Sequence, residues 1–369
     1  MLETPEAENA LISKLLEALR GLPEVTADLG RPGDPGGSSA SAEREVPLSI
    51  RVAERPLALL VEIRKVLYPR DVRQALWQIR DSASSASRRQ GDGNGWPAVP
   101  LLAAESISPG AKELLRGERV GYFDGGGSLY LPAPGALFFV DKPPSKSTSR
   151  AIRSLYSGRR AHVLHGLLER HGDWLGVTEL AEDVSASPST VSQVLTALER
   201  LDWLDSRGQG PGKQRRLSQP AALLDAWATN LKQQPLERMR RFFVPSLKAD
   251  GLAKSLDQVL SARGIDYALT HEAAAQRYAP FLSGVSQLRC RLPAGAATEA
   301  ALSELGARPV NEGANLVVIE AKPPGDMLFR QRVGGIWLSS PIQVYLDLLR
   351  SEGRAKELAE HLRKEKIGF

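Results

Sequence analysis

Apolar positions recur at helical spacing in PEAENALISKLLEALRG, residues 5–21, which predicts an amphipathic helix. The glycine, proline and serine run that follows, GRPGDPGGSSASAERE, reads as a connector. VPLSIRVAE and RPLALLVEIRK are apolar runs of strand length, and PRDVRQALWQIRDSASSASRR predicts a helix with Pro69 in its first turn. Beyond a second loop, RQGDGNGWP, AVPLLAAES predicts a strand and SPGAKELLRGE a helix begun by Ser108 and Pro109. VGYFD and SLYLPA predict a hairpin around three glycines. Strands alternating with helices predict a small α/β domain over residues 1–140.

DKPPSKSTSR is a linker into a different pattern, assigned to residues 141–245. RRAHVLHGLLERHGDW places Val163, Leu164, Leu167 and Leu168 on one helical stripe, and VTELAEDVS predicts a short second helix. SPSTVSQVLTALERLDWL predicts a third, whose stripe of Val191, Val194, Leu195, Leu198 and Leu201 packs on the first two. SKSTSRAIRSLYSGRR and LERMRRFFVPSLK read as two more basic helices on either side. Either extends a surface that tracks a polyanion backbone, or the second joins domains, with Phe242, Phe243 and Val244 buried.

Residues 246–369 alternate again. LAKSLDQVLSARG, HEAAAQRYAP and ATEAALSELG predict helices, and IDYALT, VSQLRCRLP, NLVVIEA and IWLSS predict strands. PIQVYLDLLRS and RAKELAEHLRKE predict two closing helices. The expected fold class is α+β or α/β and multidomain, a central three-helix module flanked by two small α/β domains, which suits a length of 369 residues.

Composition narrows the function. With 42% hydrophobic and 25% charged residues the chain is expected to fold. The acidic stretch MLETPEAENALISKLLEAL and the absence of any apolar run of membrane length predict a cytoplasmic protein with no membrane partner. Cys290, as a single cysteine, excludes an intramolecular disulfide, and five scattered histidines lack ligand spacing, so neither metal nor cofactor is expected. Net charge is +5, but residues 142–248 carry 17 Lys and Arg against 10 Asp and Glu. Such a block fits a polyanion partner or a solvated cationic face.

The third helix of the middle segment, at 187–201, favours the first. Opposite its apolar stripe stand Ser187, Ser189, Thr190, Gln193 and Thr196, short hydroxyl and amide side chains that reach base edges without holding a helix off the major groove. A glycine-rich basic hairpin follows at 205–217, where Arg207, Lys213, Gln214, Arg215 and Arg216 are placed to meet phosphates or enter the minor groove. The expected partner is double-stranded DNA, bound by a homodimer; a module used for protein contact alone is the alternative.

Three helices followed by a basic hairpin resemble the winged helix-turn-helix regulators of bacteria. LTHEAAAQRYAP with LSSPIQVYLDLLRSEGRAKELAEHLRKE resembles the AbiEi-type antitoxins of type IV toxin-antitoxin systems, the likeness covering about residues 160–369. It implies a sequence-specific autorepressor, not an enzyme, with a nucleotidyltransferase toxin as a further protein partner. His271 stands where that family usually has glycine, which leaves open a ligand contact at that turn or a surface histidine. LALLVEIRKVLYPRDVRQALWQI is similar to the core of PD-(D/E)xK endonucleases, whose two carboxylates hold Mg²⁺ beside a lysine. Here Glu62 is followed by Ile63 and Arg64, Lys65 is one place late, and Leu57–Leu60 offers no Asp, so the amino-terminal domain is expected to be inactive. Asp124 in GYFDGGG reads as a turn former. A metal-dependent nuclease and a plasmid or phage replication initiator are the alternative functions.

Overall fold

The structure is a computed structural model describing residues 5–29, 45–52, 55–76, 98–143, 154–232, 234–235, 237–245, 249–281 and 284–369. It divides into two compact units, residues 1–152 with 197–202 and residues 153–196 with 203–369, so most of the expected segment 141–245 and all of 246–369 fall in the second unit. The architecture is mixed α and β. Among the described residues no helix is long and apolar enough to cross a membrane.

The first unit is built on a seven-stranded sheet whose spatial order follows the chain. Its elements are α1 (Pro5–Arg20), β1 (Val25–Leu29), β2 (Glu45–Val52), β3 (Arg55–Leu67), α2 (69–76), β4 (Ala98–Ile107) and α3 (Pro109–Gly117). A meander of β5 (Gly121–Asp124), β6 (Leu129–Ala133) and β7 (Ala136–Val140) completes it. β3, β4 and β5 run parallel, and antiparallel strands extend the sheet on both sides. Alternate residues feed two apolar layers, as the pleat requires. Leu101 and Ala103 of β4 join Leu11, Leu15 and Leu19 of α1, whereas Leu102 and Ala104 join Val72 of α2 and Leu115 of α3. Because both faces are covered, β3 is buried without a break from Leu57 to Ile63, which is why it reads as a continuous apolar run. β1 falls beside a stretch that reads as connector, and β7 was not expected. The former has only Val25 and Ala27 facing inward, too short a pattern to stand out.

The carboxylates of this unit are occupied locally. Glu62 is nearly buried and is ion-paired with Arg64 two residues along β3, on the same side of the strand. Asp124 forms its turn by accepting from the amides of Gly126 at 2.7 Å and Ile107 at 3.0 Å. It also lies 3.5 Å from the buried ammonium of Lys112, which donates to Ser128 at 2.8 Å.

In the second unit three helices come first: α4 (Gly158–Glu169), α5 (Val177–Asp183) and α6 (Pro188–Arg200), the last turn of which is assigned to the first unit. The guanidinium of Arg170, just past α4, is held by Asp173, Glu179 and Asp183 at 2.8, 2.7 and 2.5 Å, tying α4 to both ends of α5. A hairpin of β8 (Leu204–Arg207) and β9 (Gln214–Leu217) and then α7 (Pro220–Leu231) follow. LERMRRFFVPSLK, expected to be helical, instead contains β10 (Met239–Phe243), flanked in the carboxy-terminal sheet by strands at Arg308–Pro309 and Leu316–Ala321. The period there is two: Phe242 is buried, while Phe243, expected inside, is 42% exposed. The other predicted basic helix lies largely at 145–153, outside the described residues.

Next come α8 (Ala249–Ala262), β11 (Ala268–Thr270), α9 (His271–Tyr278), β12 (Leu288–Pro293), α10 (Ala296–Glu304), β13 (Arg308–Pro309) and β14 (Leu316–Ala321). The chain continues through β15 (Gln331–Val333), β16 (Ile336–Leu338), α11 (Pro341–Leu348) and α12 (Ala355–Leu362). The seven strands are ordered β13-β10-β14-β12-β11-β16-β15, with β12 parallel to β14 and β11 parallel to β16. α8 packs on β12, β16 and α10, while α9, α11 and α12 pack on one another.

α4 and α5 approach so closely at Gly166 that an added Cβ would come within 2.5 Å of Val184 Cγ1 and 3.0 Å of Leu180 Cδ1. Gly166→Ala is therefore expected to force the two helices apart and to destabilise the protein by about 1–3 kcal/mol, measured as a lower midpoint in urea unfolding.

Candidate nucleic-acid interface

α6 starts where its sequence requires. Ser187 is placed as its cap: the Thr190 amide donates to its hydroxyl at 3.2 Å, and the two hydroxyls lie 2.9 Å apart. Pro188 follows at a position that needs no amide partner. The turn before it passes through Ser185 at φ 50, and Arg159 of α4 donates to the Ser185 carbonyl. Val191, Val194, Leu195 and Leu198 are fully buried, with Leu201 half-buried. Ser187, Ser189, Gln193 and Thr196 are exposed and Thr190 half-exposed, so the five polar residues predicted for this helix lie along its open side. Gln193 accepts from Arg160 at 3.2 Å, which fixes its amide before any ligand arrives.

The hairpin is antiparallel, with Leu204 opposite Leu217 and Arg207 opposite Gln214. Its tip is closed by Gly208 and Gly210 at φ 74 and 59, and a Cβ on Gly208 would sit 3.0 Å from the Gly212 carbonyl oxygen. Leu175 and Arg215 exchange backbone hydrogen bonds of 2.8 and 2.9 Å, adding a third short extended segment to the pair.

The hairpin cations are not equivalent. Arg207 is exposed, donates to the Gln214 side chain at 2.8 and 3.0 Å, and lies 4.5 Å from the centre of the Trp174 ring. Arg216 lies 4.9 Å from the same ring and pairs with Asp205 at 2.9 Å. Lys213 is half-exposed near the tip. Arg215 is only 8% exposed and donates to the Lys213 carbonyl at 3.4 Å, so it braces the hairpin from within. Trp174, which sequence reasoning passed over, is the plate on which Arg207 and Arg216 rest; the one signal was a tryptophan between two short helices in a basic segment.

The carboxy-terminal sheet holds a buried ionic cluster. Arg291 of β12 is 1% exposed and donates to Asp347 of α11 at 2.8 Å and to Glu237 at 3.0 and 3.2 Å. Asp347 also accepts from Gln343 at 2.7 Å and from Thr270; burial would raise its carboxyl, but Arg291 foremost, with Thr270, holds it below the usual range. His271 lies 3.9 Å from Asp347, is 2% exposed rather than a surface residue, and has φ 54. That left-handed backbone is the conformation in which glycine is least strained. The Cys290 thiol is fully buried and its pKa is pushed up by desolvation, which leaves it unreactive.

Residues 216–368 match the family model described as transcriptional regulator, AbiEi antitoxin, type IV TA system. The match begins inside β9, so α6 and most of the hairpin precede it. No curated protein matches the chain.

Burial pushes the His271 pKa from 6.5 down to about 4; Asp347 opposes this, and Arg289, Arg291 and Arg350 reinforce it. The unfolded chain therefore takes up this proton first as pH falls. The stability that depends on neutral His271 is complete above pH 6.5 and drains away towards pH 4, a window in which Asp347 stays ionised. Unfolding free energy is expected to fall by up to about 1.4 kcal/mol per pH unit there, and His271→Gln to flatten that slope in denaturant titrations.

Proposed function

Taking the family-model match of residues 216–368 as premise, we propose that the chain is a sequence-specific DNA-binding regulator with a winged helix-turn-helix, acting as an autorepressor and antitoxin. The observation that carries this reading is the pairing of α6, with an open row of uncharged polar side chains, to a glycine-tipped hairpin whose Arg207 and Arg216 share Trp174. The polar row suits base edges, and the hairpin cations suit phosphates. A homodimer on a two-fold operator and a toxin protein as second partner complete the proposal.

We assign no catalysis to the first unit. Glu62 already pairs with Arg64, and β3 offers no second carboxylate between Leu57 and Leu60, which supports that reading.

Fluorescence anisotropy of the full chain on its own promoter fragment, over a salt series with and without Mg²⁺, tests the assignment. Arg207→Ala with Arg216→Ala is expected to weaken binding on all sequences and to reduce the log-log salt slope by about 0.9 per lost phosphate contact. Gln193→Ala is expected to lower discrimination between operator and unrelated DNA by about 1–3 kcal/mol, with the salt slope unchanged. Absence of selective binding, or Mg²⁺-dependent cutting of the fragment, would overturn the regulator.

A further inference from the structure

A cavity of about 770 Å³ opens within the second unit, bounded by the start of α4, the end of α7, the 322–326 loop and α11. That volume is in the range of small-molecule sites. Four cations line it, Arg159, Arg238, Lys322 and Arg350. None is spent on a carboxylate among the described residues. Arg159 donates to the Ser185 carbonyl, Arg350 to the carbonyls of Gln234 and Pro235, and the side chains of Arg238 and Lys322 have no partner among those residues.

The acidic groups of the same wall are mostly committed elsewhere. Glu237 and Asp347 both bind Arg291, Asp326 accepts the Lys322 amide at 2.8 Å, and Glu320 stands exposed. Trp227, Leu231 and Leu346 supply an apolar side. A rim of available cations beside an apolar wall fits an organic anion with a multiply charged head, and guanidinium groups favour phosphate.

The cavity also reaches the residues that set α6. Arg159 lines it while holding the carbonyl of Ser185, the left-handed residue in the turn before that helix. Arg160, next in sequence, holds Gln193 on α6. A phosphate that draws the Arg159 guanidinium inward takes it away from that turn.

We infer that this cavity is an effector site for an organic phosphate of nucleotide size, and that Arg159 couples its occupancy to the seating of α6. The coupling rests on the DNA-binding reading above; the site does not. Because linkage is reciprocal, ligand and DNA shift each other's affinity by one factor.

Isothermal titration of the full chain with AMP, GMP, CMP and UMP, against adenosine and inorganic phosphate, tests the site. At least one monophosphate is expected to bind, about tenfold or more tighter than adenosine or inorganic phosphate. Arg238→Ala with Lys322→Ala is expected to abolish that binding while the thermal unfolding midpoint is kept. No binding by any of the four, equal binding of inorganic phosphate, or binding that survives the double substitution overturns the site. Promoter affinity measured with and without the bound monophosphate tests the coupling. A change of about 5-fold or more is expected in the unsubstituted chain and none in Arg159→Gln. An affinity indifferent to ligand in the unsubstituted chain overturns the coupling. Intact ligand binding with no promoter binding at all overturns the regulator and leaves the site standing.

Discussion

Arg291 places a guanidinium in the interior of the carboxy-terminal sheet, and much of the second unit is arranged to tolerate it. A buried charge without a partner is strongly destabilising, so its partners must arrive with fixed geometry. They come from two distant parts of the chain, Asp347 on α11 and Glu237 just before β10. Asp347 then recruits Thr270 from β11 and Gln343 from its own helix. Apolar packing allows small slides between helix and sheet, whereas this set of directional bonds allows few. The neutral His271 beside Asp347 belongs to the same cluster: a second buried cation next to Arg291 would have no carboxylate of its own.

From α11 the constraint passes to α4. Ser340 caps α11 by accepting the Gln343 amide at 3.2 Å, and its hydroxyl lies 2.6 Å from His165 Nε2. Phe329 meets the His165 ring edge-on with centroids 5.0 Å apart. Gly325 lies so near His162 that a Cβ there would overlap the ring. α4 is thereby fixed on the sheet, and through Arg159 and Arg160 it sets both the turn before α6 and the amide of Gln193. The polar side chains of α6 are thus positioned from the carboxy-terminal part of the chain, the part that matches the family model.

What the sequence revealed and what it hid follow from the range of the forces involved. Helices with full apolar stripes, such as α6 and α8, and strands buried on both faces, such as β3, are local patterns and were legible. β10 was misread because MRRFF contains too few residues to distinguish a period of two from one of 3.6, and pairing with β13 and β14 decided the matter. Arg215 looked like its neighbours in the hairpin, and only the bridge to Leu175, forty residues earlier, turns it inward. Burial of His271 was equally invisible, since it depends on Asp347, seventy-six residues later, and on a left-handed backbone. Trp174 acquires its meaning only when the hairpin folds beside it.

The hairpin shows how affinity and selectivity are divided in the proposed interface. Phosphate contacts supply strength without reading sequence, and base contacts read sequence with less strength. If long cations occupied the open side of α6, the two tasks would compete for the same space. Here that side carries hydroxyls and one amide, and the charge is displaced onto a hairpin stiffened by two left-handed glycines. Arg207 and Arg216 give up rotamer freedom before DNA arrives, because Trp174, Gln214 and Asp205 already hold them. The cost of ordering two long side chains is thus met during folding rather than during binding. Asp205 moderates the field of Arg216 in the free protein, and a phosphate able to displace it must approach in the geometry the hairpin allows. That condition makes the basic hairpin more than a patch of charge.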